Sequence, residues 1–207
     1  MKKFIAILLV LVIALFSFAA CSKDKPKEDE TQNNYKPMEE FNEDKLKETW
    51  TAGEITFPNG NKITIPCTVG DFIEKSGLKT NAASQYENKS FKAGETFSLT
   101  LVGDDVQVKI SCKNTGSADV KYLDATVVSF NFFNGTAGNR QITVAAGLTV
   151  GITRAEVESA LGIPEGKTTE DRMYTYKAEI GDKQKIRLNV SFNSEDTVNS
   201  ISYKLDN

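Results

Sequence analysis

Long stretches of this chain alternate apolar and polar residues with a period of two, and that pattern fixes the class of fold before any motif does. Phe97, Leu99 and Leu101 alternate with polar neighbours. Val106, Val108, Ile110 and Cys112 face one side, with Gln107, Lys109, Ser111 and Lys113 opposite. Tyr122 to Phe132 gives a third run, with Val128, Phe130 and Phe132 on one face. Met173 to Ile180, Gln184 to Asn193 (Ile186, Leu188, Val190 and Phe192 on one face) and Val198 to Leu205 follow the same rule. Successive side chains of a strand point to opposite faces, so each run has one wet side and one dry side. That is the pattern of an antiparallel sheet packed on helices.

The helices and turns are marked between these runs. Thr68-Val-Gly-Asp71 has the spacing of a capping box with Asp in the last place, and Gly77 supplies a stop after Phe72-Ile73. Thr153-Arg-Ala-Glu156 is a fuller capping box, with Val157 and Leu161 as its apolar stripe, Gly162 as a stop and Pro164 beyond it. Within Ile55 to Ile65, Asn59-Gly60 predicts a tight primed hairpin turn, and Pro66 ends the second arm. Gly103-Asp104, Asn114 to Ser117, Gly181-Asp182 and Ser194 to Asp196 are the other turn signals. Gln141 to Val144 reads as a strand, and Pro37 to Trp50 as a short helix with Met38, Phe41 and Leu46 as apolar contacts.

Strand, helix and three strands therefore occur twice, at an offset of roughly 80 residues, which is an internal duplication signal. The expected fold is α+β, in two tandem units. In each, a short helix or helix pair packs on an antiparallel sheet of three to four strands. Residues 51–138 form the first unit and 139–207 the second.

The N-terminus is an address. Met1-Lys2-Lys3 is a positive start, and residues 4–20 are an apolar run of 17 with Ser17 as its one polar side chain. That run is shorter than the ~20 residues a spanning helix prefers, and it has the three-part order of an export signal. Phe18-Ala19-Ala20-Cys21 resembles the bacterial lipobox, with Phe18 in place of the commoner Leu. The resemblance implies cleavage of a lipoprotein signal peptide (residues 1–20) between Ala20 and Cys21, and lipidation of Cys21. Residues 21–50 are then a lipidated, charged tether with a short helix. Its first part carries no apolar residue to offset its ordering entropy.

A second resemblance covers residues 147–205. Gly151-Ile-Thr-Arg-Ala-Glu-Val157, Leu161-Gly-Ile-Pro164, Tyr174-x-Tyr176 and Leu188-x-Val190-x-Phe192 resemble the SmpA/BamE-type lipoprotein module. They are also similar to the tandem repeats of the β-lactamase inhibitory protein. The resemblance implies a small envelope scaffold that works by protein contact and has no active site. This chain departs from the BamE type in having two modules where that type has one.

Composition narrows the chemistry. Lys and Arg number 25 against 28 Asp and Glu, a net charge of −3, which argues against a nucleic-acid partner. Histidine is absent, which removes Ser-His-Asp and Cys-His catalysis and His-ligated metals. No cofactor and no metal site is expected. Once Cys21 is lipidated, Cys67 and Cys112 remain as thiols; they read equally as two buried cysteines or as a disulfide in an oxidising compartment. Asp104-Asp105 and Glu195-Asp196 sit at turns, where Asp is favoured for backbone reasons, and lack the spacing of a calcium loop. Tyr174 and Tyr176 share a strand face that fits core packing better than an exposed platform. Lys109 and Arg187 fall on the wet side of their strands; they fit a partner-binding surface, and equally a solvated face whose charges need no further reason.

The sequence thus predicts a non-enzymatic, extracytoplasmic lipoprotein anchored to the membrane through lipid on Cys21. The Lys- and Asn-rich, His-free composition suggests a Gram-positive cell surface. It would act as a protein-binding scaffold, its partner an envelope protein or a wall polymer. The alternative is a carboxylate-dependent glycan hydrolase or other wall-active enzyme, which would need two acids facing each other in a cleft.

Overall fold

The computed structural model describes residues 40–51, 55–180 and 184–206. The expected signal peptide, the expected cleavage and lipidation site at Ala20 and Cys21, the expected tether as far as residue 39, and the turn signal at Gly181-Asp182 lie outside the described residues. The described residues belong to one compact unit, Met38–Asn207.

Helix α1 (Glu43–Thr51) leads into the short strands β1 (Ile55–Thr56), β2 (Lys62–Ile63) and β3 (Cys67–Thr68). Helix α2 (Val69–Ser76), β4 (Lys79–Thr80), the single turn α3 (Ala83–Tyr86) and β5 (Ser90–Phe91) follow. Next come β6 (Thr96–Gly103), β7 (Val106–Lys113), β8 (Val120–Lys121) and β9 (Thr126–Phe133). Helix α4 (Arg154–Leu161) precedes the final meander, β10 (Met173–Ile180), β11 (Gln184–Phe192) and β12 (Val198–Asp206).

The long strands form one antiparallel sheet in the order β10-β11-β12-β9-β7-β6-β4. β9 is its hub. It pairs with β7 along one edge, while its other edge is divided between β12 (Ser129 to Phe133) and β3 (Thr126 and Val127). The architecture is therefore mixed α and β, with a mostly antiparallel sheet and few, short helices.

The alternation puts Leu99, Leu101, Val108, Ile110, Phe130, Phe132, Ile201, Leu188 and Val190 on the dry face, all buried. Each such side chain contributes about 1.5–3 kcal/mol relative to exposure. Helices cover this face. Phe72 of α2 meets Phe57 and Phe130 at ring-centroid distances of 5.7 and 5.9 Å. Leu46 of α1 and Val157 and Leu161 of α4 join the same core.

Local chemistry starts and ends these helices as their sequences require. Thr68 Oγ1 accepts from the Asp71 amide at 3.0 Å, and Gly77, at φ 71°, ends α2. The box at α4 is reciprocal: Glu156 Oε2 accepts from the Thr153 amide at 2.7 Å while the Glu156 amide donates to Thr153 Oγ1 at 3.3 Å. Each cap satisfies amides that the first helical turn leaves unpaired.

Three local expectations are corrected. The Asn59-Gly60 hairpin has a three-residue loop, with Phe57 donating to Asn61 at 3.0 Å, and Gly60 alone takes the left-handed conformation (φ 81°). The Asn59 amide group is taken up elsewhere, donating to the Lys75 and Ser76 carbonyls at the end of α2, both at 3.1 Å. Gln141 to Val144 is no strand: a 3₁₀ turn (Gly138–Gln141) runs into two isolated bridges, Thr56 to Thr143 and Val144 to Leu148, because the facing β1 is two residues long. The third run begins with a 3₁₀ turn at Tyr122–Asp124, so β9 starts at Thr126. The polar connection after Asn81 holds α3 and β5, which with β8 enclose a satellite of Tyr86, Phe91, Phe97 and Tyr122.

Candidate binding face

The wet side of the sheet is where the described residues leave side chains unclaimed by the core. Register aligns them in rows that cross the strands. Thr100, Lys109, Asn131, Ser202, Asn189 and Thr175 are successive partners from β6 through β7, β9, β12 and β11 to β10. Beside it runs a second row of Ser98, Ser111, Ser129, Lys204, Arg187 and Lys177. All twelve are exposed or half-exposed. Short polar contacts stitch the surface: Thr175 Oγ1 to Asn189 Oδ1 at 2.9 Å, and Ser191 Oγ to Ser200 Oγ at 2.7 Å.

The face carries a charge of its own. Seven basic side chains project from it (Lys79, Lys109, Lys113, Lys177, Lys185, Arg187 and Lys204) against two acids, Glu179 and Asp206, for a net of +5. The other described residues hold eleven basic and nineteen acidic side chains, a net of −8. Asp206 lies between Lys204 at 2.9 Å and Arg187 at 2.6 Å, and these cations hold its carboxyl below its ordinary value. Lys185 pairs with Glu179 at 2.8 Å.

A hollow of about 430 Å³ lies in this face, lined by Thr96, Ser98, Ser111, Val128, Ser129 and Lys204 among others. Its cause is visible in the strands. Three adjacent serines form a low floor. A β-bulge lies alongside, where Ser111 pairs with Ser129 but Cys112 pairs with Val127. The extra residue, Val128, is pushed toward the wet side, and Val127 takes the core place expected of Val128. A bulge of this kind bends the strand and re-aims a side chain.

The other residues marked by sequence take separate places. Asp104 and Asp105 form the β6–β7 turn, both with positive φ (28° and 65°), and Asp196 (φ 54°) lies in the β11–β12 turn. Cys67 and Cys112 are free thiols, and they face opposite edges of Val127, so the strand β9 stands between them. That is about 9.6 Å across two strand spacings, beyond the reach of a disulfide. Burial pushes the Cys67 thiol up to about 11 and the Cys112 thiol up to about 12. Tyr174 and Tyr176 are in the core, with hydroxyls donating to Glu158 at 2.6 Å and to the Gly162 carbonyl at 2.8 Å.

Lys109 and Arg187 do lie on the wet face. Lys204 and the serine row were not singled out from the sequence, since their meeting depends on the register of four strands. Among the described residues, no group of three or more metal-ligating side chains occurs, and no helix is long and apolar enough to cross a membrane. No family model matches the chain, and neither a curated protein nor a solved structure does.

Proposed function

We propose that this chain is an extracytoplasmic lipoprotein, cleaved between Ala20 and Cys21 and anchored to the cell membrane by lipid on Cys21. Its folded part is then a binding scaffold that meets an envelope protein or wall polymer. The observation that supports the reading best is the face just described, a polar surface spanning six strands, opposite the helices and uncovered by any described segment. The N-terminal address supports the location, since an export signal and a lipobox-like Cys agree.

The tandem SmpA/BamE-like arrangement, with units at 51–138 and 139–207, belongs to the same proposal. It is supported by the strand order, in which the meander β6-β7-β9 abuts the meander β12-β11-β10 through its third strands. It is supported also by the matching Thr caps of α2 and α4.

Two measurements test the reading. Cys21→Ala should move the protein from the membrane fraction to the soluble extracytoplasmic fraction; retention in the membrane would refute lipid anchoring. A photo-crosslinking residue at Asn131 should form a discrete adduct in cells, and one at the exposed helix position Lys75 should not. Adducts at both positions alike, or at neither, would refute a role for the open face.

A further inference from the structure

We propose that the open sheet face binds an anionic open-chain polyol polymer, hydroxyl-bearing units joined by phosphodiesters, of the kind found in cell walls. The proposal rests on the binding-scaffold reading above and names the chemical class of its partner. Charge complementarity carries it. The face has a net charge of +5 on a molecule whose other described residues sum to −8, so an anionic ligand is drawn to this side and repelled from the rest.

The cations are arranged for a repeating anion. Lys204, Arg187 and Lys177 stand side by side on three neighbouring strands of one row. Adjacent strands lie about 4.8 Å apart, which spreads these charges over about 10 Å. Lys109 extends the patch two strands further, in the neighbouring row. Lys109, Lys113 and Lys177 have no acid partner among the described residues, and Arg187 and Lys204 share the single carboxylate of Asp206. The hydroxyls of Ser98, Ser111 and Ser129 line the hollow next to Lys204 and can both donate to and accept from a polyol.

The same surface argues against other anionic partners. Protein interfaces centre on buried aromatic or Arg anchors; these two rows hold no aromatic side chain, and their single Arg, Arg187, is already paired with Asp206. Phe133 and Met173, the large exposed apolar residues of the face, stand in the next row, on β9 and β10. Along these two rows nucleic acid would leave its bases without a stacking platform. An open-chain polyol phosphate has no ring face to stack and needs only cations and hydroxyls.

The test uses the full-length chain in non-ionic detergent and end-labelled poly(glycerol phosphate), followed by fluorescence anisotropy. Saturable binding should weaken steeply with salt and fall about tenfold or more in the double variant Lys109→Gln/Lys204→Gln, since two charge-assisted contacts to phosphate are lost. The helix-side pair Lys75→Gln/Lys92→Gln should leave it within about twofold, because those exposed lysines lie off the face. Circular dichroism melts confirm that both variants fold. No binding, an unchanged constant in the first variant, or equally tight binding of poly-L-glutamate or duplex DNA would overturn the proposal. An Asn131 crosslink that persists in cells when the polymer does not bind would refute this ligand class alone; loss of both would refute the binding-scaffold reading as well.

Discussion

Arg154 at the start of α4 and Asp196 in the β11–β12 turn meet at 2.9 Å, although one is almost wholly buried and the other faces solvent, with side chains 7% and 60% exposed. The guanidinium lies 4.1 Å from the Phe192 ring and 5.2 Å from that of Tyr174, and donates to the Asp171 carbonyl at 2.8 Å. Arg154 therefore pins a helix start to two loops while its stem fills apolar space. Replacing it with Met keeps the stem and removes the hydrogen bonds. Arg154→Met should lower stability by about 1–3 kcal/mol in urea unfolding. An unchanged midpoint would mean that desolvation of the guanidinium cancels its contacts.

Asp196 also gives the fold an acid-sensitive contact. Its carboxyl is held below the ordinary value by the hydrogen bond from Arg154. A carboxyl lowered on folding contributes stability that is complete above its unfolded value, near pH 3.9, and is lost as pH falls through the folded value. Asp196→Asn should therefore flatten the pH dependence of stability below about pH 4 and leave its slope near pH 7 unchanged. Unfolding midpoints measured from pH 2 to pH 7 decide this, and parallel curves for the two proteins would contradict it.

The two core tyrosines should differ in what their hydroxyls supply. Tyr176 donates to the Gly162 carbonyl inside the protein, and Phe41 packs on its ring at 5.1 Å. Tyr176→Phe strands that carbonyl at the end of α4 and should cost about 1–2 kcal/mol. Tyr174 donates to Glu158, whose carboxylate is half-exposed and can turn to water. Tyr174→Phe should accordingly cost less. Equal losses in chemical denaturation would show that the end of α4 is no more dependent on its bond than the exposed side.

Cys67 and Cys112 should behave as two slow, separate thiols. Values of about 11 and about 12, raised first by burial, keep both protonated at neutral pH. Groups raised in this way contribute stability that is complete below about pH 8.5 and is lost as pH climbs toward those folded values. In a Cys21→Ala background, a thiol reagent at pH 8 should react slowly with the native protein, half-exposed Cys67 first, and find both thiols once urea is added. No titratable thiol after unfolding would show that the two are bonded.

Where the sequence was legible, one rule carried it. Leu99, Val108, Ile186 and Ile201 alternate with residues that stay wet, and burial of one face is enough to write strand positions into a sequence. The Thr153 and Thr68 caps were legible because a cap is a short-range device. Val128 was misplaced by one because a bulge is a single extra residue whose only signature is the partner strand's register. Two-residue strands such as β4, β5 and β8 have no period to detect. The open face was half legible: Lys109 and Arg187 could be assigned to wet sides. Their gathering with Lys204 and three serines depends on pairing between residues as distant as Ser98 and Lys177, a long-range property that no local pattern encodes.

The separation of charge between the open face and the helical side has a consequence that does not depend on which partner is bound. A body with +5 on one face and −8 over its other described residues has an electric moment across the sheet. Near any anionic surface it experiences a torque, and within about 8 Å at physiological ionic strength that torque is little screened. The molecule is turned face-on before contact. Encounters are thereby confined to a fraction of the orientations a neutral body would sample, and the helices are kept pointing away.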